Sequence, residues 1–231
     1  MNFKNLRNYK LLGVVLSCFV VLSVSGLTLN TQNHRVLVNV LSAFRTVTIG
    51  GQVWTKLNYS GVTFRNGDQI QQAQTAEQWS LAANNKTPAW CYPEKTGEND
   101  SVYGKLYNWY AIADPRGFAP EGYHVPAYSE MQKLVQNSGG KDNAGTTLKS
   151  STGWNAGVKN SNKTGFSAMP AGMRTPSGSY MSFGSNGAWW TRSEFDMYAV
   201  WSLQMFHNVT GCSLSSYSTK GQGLSVRLIR D

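Results

Sequence analysis

The chain is poor in the residues that carry covalent or metal chemistry: three histidines and three cysteines stand among 231 residues. His34, His124 and His207 are far apart in sequence, and a histidine-based metal site would need carboxylates to complete it. No Ser-His-Asp order can be assembled around them, so no catalytic residue and no cofactor are assigned. Acids are scarce too, 12 against 21 lysines and arginines, for a formal charge of +9. The excess is not gathered into any Lys/Arg run, which speaks against nucleic-acid binding and fits a solvated surface or weak attraction to acidic polymers. Internal repeats and low-complexity tracts are absent. Aromatic residues, by contrast, are plentiful enough for a packed core, and the length suits one substantial domain.

The N-terminus carries Lys4, Arg7 and Lys10 without an acid, followed by the apolar run Leu11 to Val24. That is the pattern of an export signal over residues 1–26. Three fates are open. Ser25-Gly26 suits cleavage; Leu11 to Leu29 would span about 28 Å as a retained helical anchor; and Val15-Leu16-Ser17-Cys18 has the form of a lipoprotein box with Cys18 as the acceptor. Membrane association is therefore expected only through this leader, and the product is expected to be secreted or held at the outer surface. Cys91 and Cys212 then remain, and in an exported chain they are candidates for a disulfide or for two separate buried thiols.

Residues 27–45 read as a tether. From Thr46 onward the domain signals begin, with Thr46 to Ile49 and Gln52 to Tyr59 as two strands about Gly50-Gly51. Thr75-Ala76-Glu77-Gln78 has capping-box form and opens a helix to about Asn84. Lys95 to Ser101 is a polar loop, in which Glu98 and Asp100, with Glu94 before them, read as solvated. Tyr103 to Ala113 places Leu106, Trp109, Tyr110 and Ala113 on one helical face and predicts a single core helix. Gly122 to Val135 is a strand-to-helix corner hinged at Pro126, with Met131, Leu134 and Val135 as the apolar face. Beyond Gly140 the chain turns rich in Gly, Ser, Asn and Thr, which predicts strands and long loops: Gly165 to Arg174, Ala188 to Thr191, Val200 to Phe206 and Gly223 to Ile229.

Taken in order, Trp54 with Leu57-Asn58-Tyr59, Tyr103-Gly104-Lys105-Leu106-Tyr107-Asn108-Trp109, Pro120 to Pro126 with Glu130, Leu148-Lys149-Ser150 with Gly153-Trp154, Gly165 to Arg174, Trp190 to Glu194 and Gly223 to Leu228 resemble the Fibrobacter succinogenes major paralogous domain. The likeness covers nearly all of residues 46–231. It implies a surface or secreted protein of Bacteroidetes type without assigned catalysis. Through the formylglycine-generating-enzyme and C-type-lectin-like group it implies a single C-type-lectin-like α+β domain, with a twisted, mostly antiparallel sheet, two or three short helices and long loops. Ala127 departs from the serine usual at the corner and lacks a capping oxygen. Cys91 and Cys212 have no close Cys partner, so the copper-binding cysteine pair of formylglycine-generating enzymes is not carried over. Neither calcium-binding motif of sugar-binding lectins is intact, so no metal is expected.

The resemblance and the residues together predict a non-catalytic adhesion module that recognises glycan or a surface protein. The alternatives are a degenerate enzyme of the formylglycine-generating type and a purely structural envelope protein. Aromatic side chains in the Gly/Ser-rich half are the candidate ligand-binding residues: Trp189, Tyr180, Phe183, Tyr198 and Tyr217, with Trp190 and Trp201 assigned to the core. His124, Pro126 and Glu130 are expected to fix the corner.

Overall fold

The computed structural model describes residues 46–94 and 100–231. The leader, the tether, Cys18 and most of the polar loop at Lys95 to Ser101 lie outside the described residues. The glycine turn forms as the sequence predicts. Strands β1 (Thr46–Ile49) and β2 (Gln52–Thr55) pair antiparallel around Gly50 and Gly51, whose φ values of 56° and 81° fall in the left-handed region that glycine adopts without strain. After β3 (Gln71–Gln72), helix α1 (Ala76–Asn84) begins at the expected capping box. The Thr75 hydroxyl accepts from the Gln78 N–H, and the Gln78 side chain accepts from the Thr75 N–H.

The segment predicted as one helix from Tyr103 to Ala113 is divided. Strand β4 (Ala89–Cys91) is followed by the short helix α2 (Asp100–Tyr103), strand β5 (Leu106–Tyr107) and helix α3 (Trp109–Ile112). Gly104 causes the break: its φ of 70° is left-handed, and a Cβ there would sit 2.6 Å from the Asn58 Cβ. The freed backbone finds long-range partners instead, since Tyr107 and Leu224 exchange N–H···O bonds of 2.9 and 3.1 Å. A periodicity suited to a helix was overridden by an isolated bridge to Leu224, 117 residues away, in a segment expected as a strand from Gly223 to Ile229 that forms a strand only at Ile229–Arg230.

The corner follows as β6 (Tyr123–His124) and α4 (Tyr128–Asn137), which buries Met131, Leu134 and Val135. Then come α5 (Ala144–Leu148), the pair β7 (Met173–Arg174) and β8 (Tyr180–Met181), the long strands β9 (Asn186–Glu194), β10 (Ala199–Phe206) and β11 (Ser213–Thr219), and β12 (Ile229–Arg230). Most of Gly165 to Arg174, predicted as extended, is loop, and only its end joins β7. The sheets are β1-β2-β12-β6, β11-β10-β9, β3-β4-β5 and β7-β8, and all pairs but β3 with β4 are antiparallel. The architecture is mixed α+β and mostly antiparallel.

Strand β9 lies between two parts of the core. Trp189 joins Trp54, Met131, Leu134, Phe166, Leu203 and Met205 on one side, while Trp190 joins Tyr107, Trp109, Val200, Leu224 and Val226 on the other. A third cluster holds Trp79, Cys91 and Leu106. Both faces of β9 are thus apolar although it stands at the end of its sheet, which explains the continuous burial of Asn186 to Thr191.

Candidate functional site

Indole N–H groups separate six tryptophans tied into the fold from two whose N–H has no partner among the described residues, of which only Trp201 is not fully buried. Trp79, Trp90, Trp109, Trp154, Trp189 and Trp190 each donate to an oxygen within the chain, at 2.7–3.2 Å. The Trp54 indole N–H is buried without a partner among the described residues. Trp201 is only partly buried, and its indole makes no hydrogen bond among the described residues.

Its position follows from a register shift. Val200 pairs with Glu194 and Ser218, and Ser202 pairs with Trp190 and Ser215. Trp201 alone therefore faces Thr191, Arg192 and Ser193 on β9 and Ser216 and Tyr217 on β11. Bulges of this kind turn a side chain away from its expected place in the pleat. The Thr191 hydroxyl holds the bulge by donating to the Trp201 carbonyl at 2.8 Å. On the far side of β9, the Arg192 N–H donates to the Pro126 carbonyl at 2.9 Å, and the Ser193 hydroxyl accepts from the Tyr128 N–H at 3.0 Å. The Pro126 corner is in this way fastened to the bulge.

The result is an aromatic face. The Tyr128 ring lies 4.2 Å from that of Trp201, tilted by 36°, and Phe195 meets Trp201 edge-on at 5.2 Å. The turn between β9 and β10 is fixed by Asp196, whose carboxylate accepts from the Tyr198 and Ala199 N–H groups. It lifts Met197 and Tyr198 into solvent, at 72% and 71% exposure, and Tyr217 in the β11 bulge is 86% exposed. Clustered exposed aromatic and apolar side chains on a rigid hairpin have the character of a recognition surface.

Of the residues singled out from sequence, Tyr198 lies in the turn of this hairpin and Tyr217 on β11. Trp189 does not line a surface: it is fully buried and donates to the Asn58 Oδ1 at 2.8 Å, so the expectation that it binds ligand is corrected. Tyr180 and Phe183 are partly buried elsewhere. Tyr180 packs beneath the Arg174 guanidinium, and burial, together with the neighbouring Cys91, pushes its phenol up to about 12. Phe183 stacks on Tyr103 at 4.8 Å. Trp201, assigned to the core from its strand periodicity, is instead the centre of the site. Sequence reasoning missed Phe195 and Tyr128 as well; the run Phe195-Asp196-Met197-Tyr198 between two apolar strands was the signal that could have found the hairpin tip.

Cys91 and Cys212 are free, buried thiols in different core clusters, so the disulfide option is set aside. Burial pushes both thiols up to about 11, away from the range of a reactive thiolate. His124 does tie the corner together. Its Nδ1 meets Asp231 Oδ1 at 2.5 Å and its Nε2 meets Glu130 Oε1 at 2.9 Å, while Glu130 Oε2 accepts from the Ala127 N–H at 2.7 Å. Ala127 offers no side-chain cap, so only half of a capping box is formed.

The motifs that carry the family resemblance converge on a buried polar node. Asn58 Oδ1 accepts from Trp189 Nε1 and from Arg227 Nε, and its Nδ2 donates to the Tyr103 carbonyl and to Ser225 Oγ. Arg227, fully buried and with no carboxylate partner among the described residues, donates further to the carbonyls of Thr55, Phe166 and Ser167. Burial lowers its pKa, and this ring of oxygens stabilises the guanidinium in its charged form. Lys149 and Arg174 follow the same rule: Lys149 donates to the carbonyls of Phe206 and Val209, and Arg174 to those of Gly178 and Ala73.

Fold and site thus define a mixed α+β domain whose shared motifs build its interior, while its exposed aromatics lie on a hairpin outside most of them. The chain belongs to the Fibrobacter succinogenes major domain family, whose model matches residues 47–230. No curated protein and no solved structure matches it.

Proposed function

We propose that this chain is an exported, non-catalytic binding module, held at a cell surface or secreted, that recognises glycan through the aromatic face centred on Trp201. The observation that carries the reading is the Trp201 ring itself. It is braced by Tyr128 and Phe195, Tyr198 stands exposed in the turn of the same hairpin, and the indole N–H of Trp201 makes no hydrogen bond among the described residues. A sugar ring offers C–H faces to an aromatic plane and hydroxyl oxygens to an indole donor. The C-type-lectin-like relationship is part of the same reading, supported by the mixed antiparallel architecture and the corner fastened to the long strands. An enzymatic role through Cys91 or Cys212 is disfavoured by their burial and raised pKa.

The test is a glycan array probed with the full chain, its Trp201→Ala variant and its Tyr198→Ser variant. Binding by the parent, lost in Trp201→Ala and weakened in Tyr198→Ser with unchanged circular dichroism, is the expected result. An array with no bound glycan, or equal binding by a folded Trp201→Ala protein, refutes the reading; capture of a protein partner through the same face would reassign it.

A further inference from the structure

The hydrogen-bonding state of the Trp201 face narrows what it can take. Gln132 stands one turn after Tyr128 on α4, and its Nε2 donates to the Tyr128 hydroxyl at 3.1 Å. That bond orients both side chains. The Tyr128 oxygen accepts it, while its own O–H proton meets no acceptor among the described residues and remains available to donate. The Gln132 Oε1 and the Trp201 Nε1 are likewise without partners among the described residues, and neither atom is buried. A ligand can reach both.

No charged group enters this cluster. Ser193 and Phe195 turn towards Tyr128 and Trp201, so strand alternation puts Arg192 and Glu194 on the other face of β9. Glu194 accordingly pairs with Lys220 at 2.7 Å, and Lys220 lies over Trp109, in the part of the core that holds Trp190. The Asp196 carboxylate is taken up by its turn, and that of Glu130 by His124 and the Ala127 N–H. A carboxylate or sulfate group entering here would give up water without meeting a cation, which is unfavourable. A hydroxyl group both gives and takes a hydrogen bond, and the cluster offers partners for each.

We infer that Tyr128 and Gln132 are specificity-determining residues of this face, and that they select a neutral sugar unit through two neighbouring hydroxyl groups. One hydroxyl accepts from the Tyr128 O–H, and the next donates to the Gln132 Oε1. This selectivity rests on the glycan reading of the Trp201 face.

Titration calorimetry with the full chain tests it on matched pairs: cellotriose, mannotriose and galactotriose, each against the trimer of the corresponding uronic acid, which differs only in its carboxylates at C6. At least one neutral trimer should bind, about tenfold or more tighter than its uronate partner. Tyr128→Phe keeps the ring against Trp201, and Gln132→Met keeps the length of the side chain. Each should weaken that trimer about threefold to tenfold at unchanged circular dichroism, the loss of one hydrogen bond. Gln132→Lys brings a cation into the cluster and should move the ratio within the pair about tenfold or more towards the uronate, a change that a merely structural Gln132 would not produce. Equal or tighter binding of the uronates overturns the selectivity and leaves the glycan reading standing. So does a neutral trimer that is lost in Trp201→Ala but held unchanged by Tyr128→Phe and Gln132→Met. No neutral trimer bound at up to about 20 mM overturns it as well, and the glycan array then shows whether the wider reading falls with it.

Discussion

Replacing Asn58 by alanine tests whether the buried polar node, rather than apolar burial alone, holds the two halves of the domain together. Asn58 is 5% exposed and uses its full capacity, two bonds accepted and two donated. The substitution strands the Trp189 indole N–H and the Arg227 Nε–H, both in fully buried residues, and also removes a donor from the Tyr103 carbonyl. Ser225 can turn its hydroxyl elsewhere. Each buried group left unpaired costs roughly 1–3 kcal/mol, more beside a charge, so Asn58→Ala should lose about 4–6 kcal/mol. That approaches the whole stability of an ordinary domain, about 5–15 kcal/mol. Urea unfolding followed by tryptophan fluorescence measures it, with the m-value checking that the unfolded reference is unchanged. Combining Asn58→Ala with Arg227→Met should show strong coupling, because each removes a partner of the other. A loss below about 1 kcal/mol at unchanged m would mean that water or repacking satisfies these groups and that the polar node is not what holds the family motifs together.

Three further outcomes follow from the same geometry. Ala127→Ser supplies the missing cap of α4 and should raise stability by about 0.5–1 kcal/mol, visible as a higher melting temperature; no change would show that Glu130 already does the work of the cap. Lys149 has its pKa lowered by burial to about 8 from 10.5, so below pH 8 it is charged in both states and carries the full burial penalty. From pH 8 upward the folded state releases the proton first, and stability should rise with pH. The buried thiols act oppositely above pH 9, since their folded pKa values are raised to about 11 and their contribution is lost as pH climbs through that range. The window of pH 8–9 therefore isolates Lys149, and Lys149→Met should flatten it; a parent without that upward slope contradicts the assignment. Iodoacetamide should leave Cys91 and Cys212 unmodified in the native protein and label both in urea without reductant, and a covalent link between them in a peptide map would disprove two free thiols.

Local chemistry was the most legible. The glycine turn at Gly50-Gly51, the capping box at Thr75 and Gln78 and the apolar face of α4 depend on neighbours within a few residues, and they formed where the pattern placed them, whereas the alternation expected of β10 holds only from Leu203 onward, past the bulge. His124 and Glu130 were recognisable as corner residues for the same reason, although Asp231, the second partner of His124, lies at the other end of the domain. The Tyr103 to Ala113 segment failed because its helical period was real but weaker than the requirement that Gly104 yield to Asn58 and that Tyr107 pair with Leu224.

The aromatic residues show where sequence stops. Composition and order fixed the family motifs and an aromatic-rich second half, because turn chemistry and side-chain period are written residue by residue. Which tryptophan faces inward is a matter of register. Trp189 and Trp201 both stand in apolar strands, and only the bulge that sets Trp201 against Thr191, Arg192 and Ser193 turns it towards Tyr128 and Phe195, while an unbroken ladder carries Trp189 to Asn58. Likewise, nothing local reveals that Asn58, Trp189 and Arg227 share one set of hydrogen bonds. Partnership among buried polar groups is decided by distant segments meeting in space, and only the tertiary structure supplies those meetings.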